Sequence, residues 1–86
     1  MINIQLLFFG RLREVLQSEG ETLQLNVPSA TLVDVISVLT ARGGVWAEEL
    51  SGNRALAYAI DRRFAKLVDA VYDGAEVAIF PPITGG

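Results

Sequence analysis

Leu32, Val35, Ile36 and Leu39 recur at i, i+3, i+4 and i+7, the spacing of one buried helical face and the clearest helical signal in the chain. A lone amphipathic helix cannot bury its own apolar stripe, so it must lie against a sheet made by the rest of the chain. Its limits are marked. Thr31 with Asp34 three residues on has the form of a capping box, Asp replacing the usual Glu. Arg42 falls in the last turn and Gly43-Gly44 stops the helix, while Trp46 and Leu50 suggest a further turn packed on the domain.

The flanking segments supply the strands. Ile2, Ile4, Leu6 and Phe8 share one face; Leu7 and Phe9 make the opposite face apolar toward the strand's end. After Gly10, residues 11–17 read as a short helix with Leu12, Val15 and Leu16 on one side, ended by Ser18-Glu19-Gly20 with the glycine near the C-cap. Residues 22–27 alternate again, with Leu23, Leu25 and Val27 inward and Pro28 closing the strand, an antiparallel neighbour of the first. Residues 55–60 form a small apolar run that fits a buried strand, and residues 68–72 fit no single period. Asp73-Gly74 is a turn. In the last strand, residues 76–80, Val77 and Ile79 face one way and Ala78 and Phe80 the other, until Pro81-Pro82 ends the ladder. The order β, short α, β, long α, β, β predicts an α+β domain over residues 1–80, followed by a flexible, extended tail over residues 81–86.

Composition removes most enzyme classes. The 86 residues contain no cysteine and no histidine, which excludes disulfides, thiolate metal sites and the commonest proton-transfer side chain. Serines without a histidine base make no triad. Asp61 with Asp69, and Glu48 with Glu49, read as solvated surface carboxylates, and no metal site is expected. Gly43-Gly44 lacks the spacing of a phosphate loop. With net charge -3, Arg11, Arg13, Arg62 and Arg63 are too few for a nucleic-acid patch. The longest apolar run is too short to span a bilayer and the N-terminus has no signal-peptide pattern, so a cytoplasmic, membrane-free protein is expected. Yet 51% of the residues are hydrophobic, high for so small a chain. That composition fits either an exposed partner surface or a long-chain aliphatic core with scattered surface residues.

The tail stands out. Pro81-Pro82 stiffens its exit, and Gly85-Gly86 has no side chains, so it can enter a narrow channel. A carboxylate presented there becomes an electrophile once a partner adenylates it with ATP, after which a sulfur or nitrogen nucleophile can displace AMP. Such chemistry needs no histidine, cysteine or pocket in the carrier itself.

Residues 7–14 (Leu-Phe-Phe-Gly-Arg-Leu-Arg-Glu) and residues 73–86, ending Phe-Pro-Pro-Ile-Thr-Gly-Gly, resemble the small, sulfur-carrying subunits of molybdopterin synthases, in the ubiquitin-like β-grasp superfamily. The resemblance spans the chain. It implies a β-grasp fold, with a mixed sheet of four to five strands and one main helix packed across it. It also implies that an E1-like enzyme adenylates Gly86, which becomes a thiocarboxylate with sulfur from a donor such as a cysteine desulfurase or rhodanese. A large synthase subunit then takes up the tail, Gly85 and Gly86 foremost, in a heterotetramer of two small and two large subunits, and sulfur passes to cyclic pyranopterin monophosphate. On this view the small subunit donates sulfur without catalysing, holds no bound cofactor, and joins ATP only through the activating enzyme. The partner-binding positions that carry over are Phe9, Phe64, Phe80, Pro81, Pro82, Ile83, Thr84 and Arg13. Two positions depart from the pattern: relatives often have Asn at Asp61 and an acidic residue at Ala75.

Three other readings compete. The same carrier chemistry could serve thiamine, cysteine or tRNA thiolation, although thiazole-type carriers are typically shorter and lack Phe-Pro-Pro. The chain could be a ubiquitin-like modifier joined to lysines through Gly86, or a plain interaction module sharing the fold.

Overall fold

A computed structural model describes residues 1–52 and 54–82. Ten elements follow in order: β1 (Ile2–Phe8), α1 (Arg11–Val15), β2 (Gly20–Leu25), β3 (Ala30–Thr31), α2 (Leu32–Thr40), α3 (Gly44–Leu50), β4 (Ala57–Ile60), β5 (Arg63–Ala65), β6 (Ala70–Val71) and β7 (Glu76–Phe80). Five strands make one mixed sheet in the order β2-β1-β7-β4-β5, and β3 with β6 makes a two-stranded ladder. The first and last strands are parallel and central, with Phe8 beside Ile79. β1 and β2 are antiparallel, as the alternation implies.

The core sits on one face of this sheet. Ile2, Ile4, Leu6 and Phe8 from β1, with Val77 and Ile79 from β7, meet Leu32, Val35 and Leu39 of α2. Leu12, Leu16 and Leu50 close the ends, and the edge of Trp46 meets the Phe8 ring at 5.6 Å between centroids. The Thr31 N–H donates to Asp34 Oδ2 at 2.8 Å, the reciprocal half of the expected capping box. The ambiguous stretch near Val68 turns out to serve the helix start: Leu32 N–H donates to the Asp69 carbonyl and Val33 N–H to that of Leu67, both at 3.0 Å. These are donors that a helix's first turn cannot satisfy internally. Ala30 and Thr31 pair with Val71 and Ala70 in β6, so this strand exists to cap α2 rather than to extend the sheet.

Several expectations are corrected. Gly20 does not cap α1; it is the first residue of β2, and Gln17 is the residue with positive φ there. A Cβ at Gly20 would meet the Leu6 carbonyl oxygen at 2.1 Å, so close strand approach is what demands glycine. Val27 lies beyond the end of β2 and is exposed, because pairing with β1 ends at Ile2 and Leu25. β4 is half-buried rather than buried, since helices cover one face of the sheet only. The turn Leu50 was expected to mark is a full helix, α3.

An apolar sheet face at the tail root

The uncovered face of the sheet is apolar by register. Leu7 pairs with Gly20 on one side and Ala78 on the other. Ala78 pairs with Ala59, and Ala59 with Phe64, so one row crosses all five strands. Paired residues point to the same face, and in β1 and β7 this row is one residue out of phase with the core positions. The next row holds Ala57 beside Phe80. Small residues make the middle flat, and aromatic rings stand at its margins. Phe64 is 84% exposed, and its ring lies 6.1 Å from that of Phe80. Phe9 is exposed at the end of β1, with the Arg13 guanidinium carbon 5.9 Å from its ring centroid.

The tail leaves from this face's edge. Phe9 N–H donates to the Ile79 carbonyl at 3.3 Å, the final rung between β1 and β7. Pro81 then passes over Gly10, where an added Cβ would lie 3.4 Å from the proline Cγ and Cδ. Gly10 has φ 60, which glycine adopts freely. The structure therefore gathers Phe80, Pro81, Phe9 and Arg13 around one exit and sets Phe64 beside them through Phe80. Pro82 is exposed next to Pro81. Ile83, Thr84, Gly85 and Gly86 lie outside the described residues. Leu7 and Ala78 fall on this face as the alternation of their strands predicts, whereas Ala57 and Ala59 lie in an apolar run that gives no sign of which face is covered.

The carboxylates do not form an acid–base site. Asp61, with φ 50, accepts from Glu76 N–H at 2.9 Å and so ties the β4–β5 turn to the start of β7. Asparagine adopts that backbone region equally well, so this departure from the family pattern keeps the turn's chemistry. Asp69 accepts from Lys66 N–H at 2.8 Å. Among the described residues no three acidic, cysteine or histidine side chains cluster to hold a metal. Glu49 is a correction: it is not solvated but 2% exposed, held by both Nη groups of Arg11 and by Arg54 Nε at 3.3 Å. Its place is legible afterwards, since 46, 49 and 50 fall on the inward stripe of α3.

Hydrogen bonds from Arg11 hold the Glu49 carboxyl below the usual carboxylate range, against the opposing effect of burial. A depressed folded-state value contributes stability above the unfolded carboxylate value of about 4.3, and that contribution is lost as pH falls through the folded value. Urea midpoints of the native chain should therefore fall more steeply below about pH 4.3 than those of Glu49→Gln. Parallel curves would remove Glu49 from the account of acid stability.

A sheet covered on one face only, with its central last strand running out as a tail, defines a ubiquitin-like β-grasp domain. Residues 6–86 match the ThiS family, and the chain belongs to it. The molybdopterin synthase sulfur carrier subunit of Haemophilus influenzae is 37% identical over 86 residues, covering 100% of both chains. That of Escherichia coli is 31% identical over 83 residues, covering 96% of this chain and 99% of its own. Among solved structures, a Pyrococcus furiosus protein described as molybdopterin converting factor subunit 1 superposes with TM-score 0.80 at 20% identity, covering 96% of this chain and 100% of its own. Small archaeal modifier protein 1 of Haloferax volcanii superposes with TM-score 0.78 at 22% identity, covering 96% and 100%. These two likenesses establish the fold. No helix among the described residues is long and apolar enough to cross a membrane.

Proposed function

We propose that this protein is the sulfur-carrying small subunit of a molybdopterin synthase, acting in the cytoplasm. The full-length match to carriers of that name supports the reading most directly. In this account the Gly86 carboxylate attacks the α-phosphate of ATP on an E1-like enzyme, releasing pyrophosphate and forming an acyl adenylate. The outer sulfur of a persulfide on a donor such as a cysteine desulfurase or rhodanese then displaces AMP. A thiol cleaves the resulting acyl disulfide to leave the thiocarboxylate and a disulfide on the donor cysteine. The thiocarboxylate gives its sulfur to cyclic pyranopterin monophosphate as Gly86 returns to a carboxylate. Two such transfers build the dithiolene, consistent with a heterotetramer of two small and two large subunits. The carrier binds no cofactor; the catalytic side chains belong to its partners.

The row Leu7–Ala78–Ala59–Phe64, with Phe80, Phe9 and Arg13, is the surface that both partners cover, while Pro81, Pro82, Ile83, Thr84 and Gly85 lead Gly86 into their active sites. Phe64 stands exposed beside Phe80, so a partner that covers it gains about 1.5–3 kcal/mol of apolar burial. Titration calorimetry against the large synthase subunit from the same cell should show Phe64→Ala binding about 10–100 times more weakly. Its thermal midpoint should stay at the native value, because an exposed ring contributes little to the fold. Failure of the native chain to bind that subunit would redirect the carrier to another recipient; equal binding by Phe64→Ala would remove this face from the interface.

A further inference from the structure

Glu49 is the one buried charged side chain among the described residues, and the carrier chemistry makes no use of it. It lines a notch of about 160 Å³ beside the tail root, together with Arg11, Leu12, Arg54, Ala55, Leu56 and Pro81. The two arginines reach it differently. Arg11 spends both Nη groups on the two Glu49 oxygens, a forked pair. Arg54 reaches Glu49 Oε1 through Nε, at 3.3 Å. Both arginine side chains are about half exposed, at 48% and 49%. Two positive groups thus share one carboxylate. Glu48, on the same helix, is exposed and outside the notch, and its charge acts on Arg11. The result is a second guanidinium, that of Arg54, whose ion pair among the described residues is with a carboxylate already forked to Arg11, set beside an apolar floor of Leu12 and Leu56. A carboxylate matches that guanidinium in shape, and the floor suits the methylenes that carry it.

We infer that this notch receives an acidic side chain, an Asp or Glu, of the subunit that takes up the tail. The inference rests on the carrier reading above. Its location argues for a protein side chain over a free anion: Pro81 lines the notch, so any partner that encloses the tail from its root must pass across it. Glu49 takes the fork of Arg11 and meets Arg54 at Nε, while half of the Arg54 side chain stays exposed. The contact fixes where the tail enters, while the apolar face supplies the area.

The test is titration of the full chain against the large synthase subunit at several salt concentrations. Arg54→Gln should bind about tenfold more weakly at low salt and converge on the native chain as salt rises. Arg54→Lys, which keeps the charge and loses the fork, should restore the salt dependence and only part of the affinity. Among Asp→Ala and Glu→Ala variants of the large subunit around its tail entrance, one should weaken the native chain yet leave Arg54→Gln unaffected. Identical binding by Arg54→Gln and the native chain at every salt concentration would overturn the inference with the carrier reading intact. Absence of binding by the native chain would instead sink the reading on which it rests. Thermal midpoints of both Arg54 variants should stay close to native, because Arg11 alone keeps Glu49 paired.

Discussion

A chain ending at Thr84 should fold as stably as the complete sequence and transfer no sulfur at all. On the proposed function the loss is total, because the reacting acyl group is that of Gly86 and the chain has no cysteine or histidine to replace it. Stability should be untouched, since the sheet closes at Phe80 and the core is complete by Ile79. In a reconstituted mixture of activating enzyme, sulfur donor, large subunit and pterin precursor, product formation should drop to background. The thermal midpoint should remain unchanged. Residual turnover at a substantial fraction of the native rate would mean that another group carries the sulfur. A fall in midpoint would mean that the tail is part of the fold.

The opposite separation is expected of Phe8→Ala. Phe8 is fully buried, at the meeting point of β1, β7 and the Trp46 ring. Truncating a buried phenylalanine costs about 3–5 kcal/mol, from lost transfer energy and the cavity left behind. A domain of this size has total stability near the low end of about 5–15 kcal/mol, so most of it would be gone. Each kcal/mol moves the midpoint of such a domain by about 4–8 °C, so a drop of more than about 12 °C should appear in thermal denaturation. Trp46 fluorescence reports it directly, because the indole packs on the ring being removed. A shift under a few degrees would show that the core collapses around the gap.

The contrast between Phe8 and Phe9 shows what the sequence discloses. Adjacent and chemically identical, they fall on opposite faces because strand side chains alternate; the phase of Ile2, Ile4 and Leu6 assigns Phe8 to the core. The same rule placed Val77 and Ile79 inside and Phe80 outside. Helix α2 was readable because four apolar residues and its capping pair agree. What escaped reading depends on tertiary pairing. The 70–71 ladder is too short to carry a period, and its role is to satisfy the first turn of α2. Gly20 looked like a helix cap, since a close approach to the Leu6 carbonyl leaves no local trace. Glu49 looked solvated because two adjacent glutamates in an acidic chain usually are, and its partners lie 38 residues away at Arg11 and just past α3 at Arg54. The candidate site divides the same way. Its aromatic margin was visible in the residues, whereas the flat alanine middle becomes a surface only when β7, β4 and β5 are set side by side.

The central claim is that Gly86 itself carries sulfur to a pterin. Intact-mass spectrometry of the full chain, after incubation with ATP, a sulfur donor and the cognate E1-like enzyme, tests it most directly. The account predicts a mass increase equal to replacing one oxygen by sulfur, located by fragmentation at Gly86 and lost on adding the large subunit with cyclic pyranopterin monophosphate. A mass that never changes with a competent activating enzyme would contradict the account.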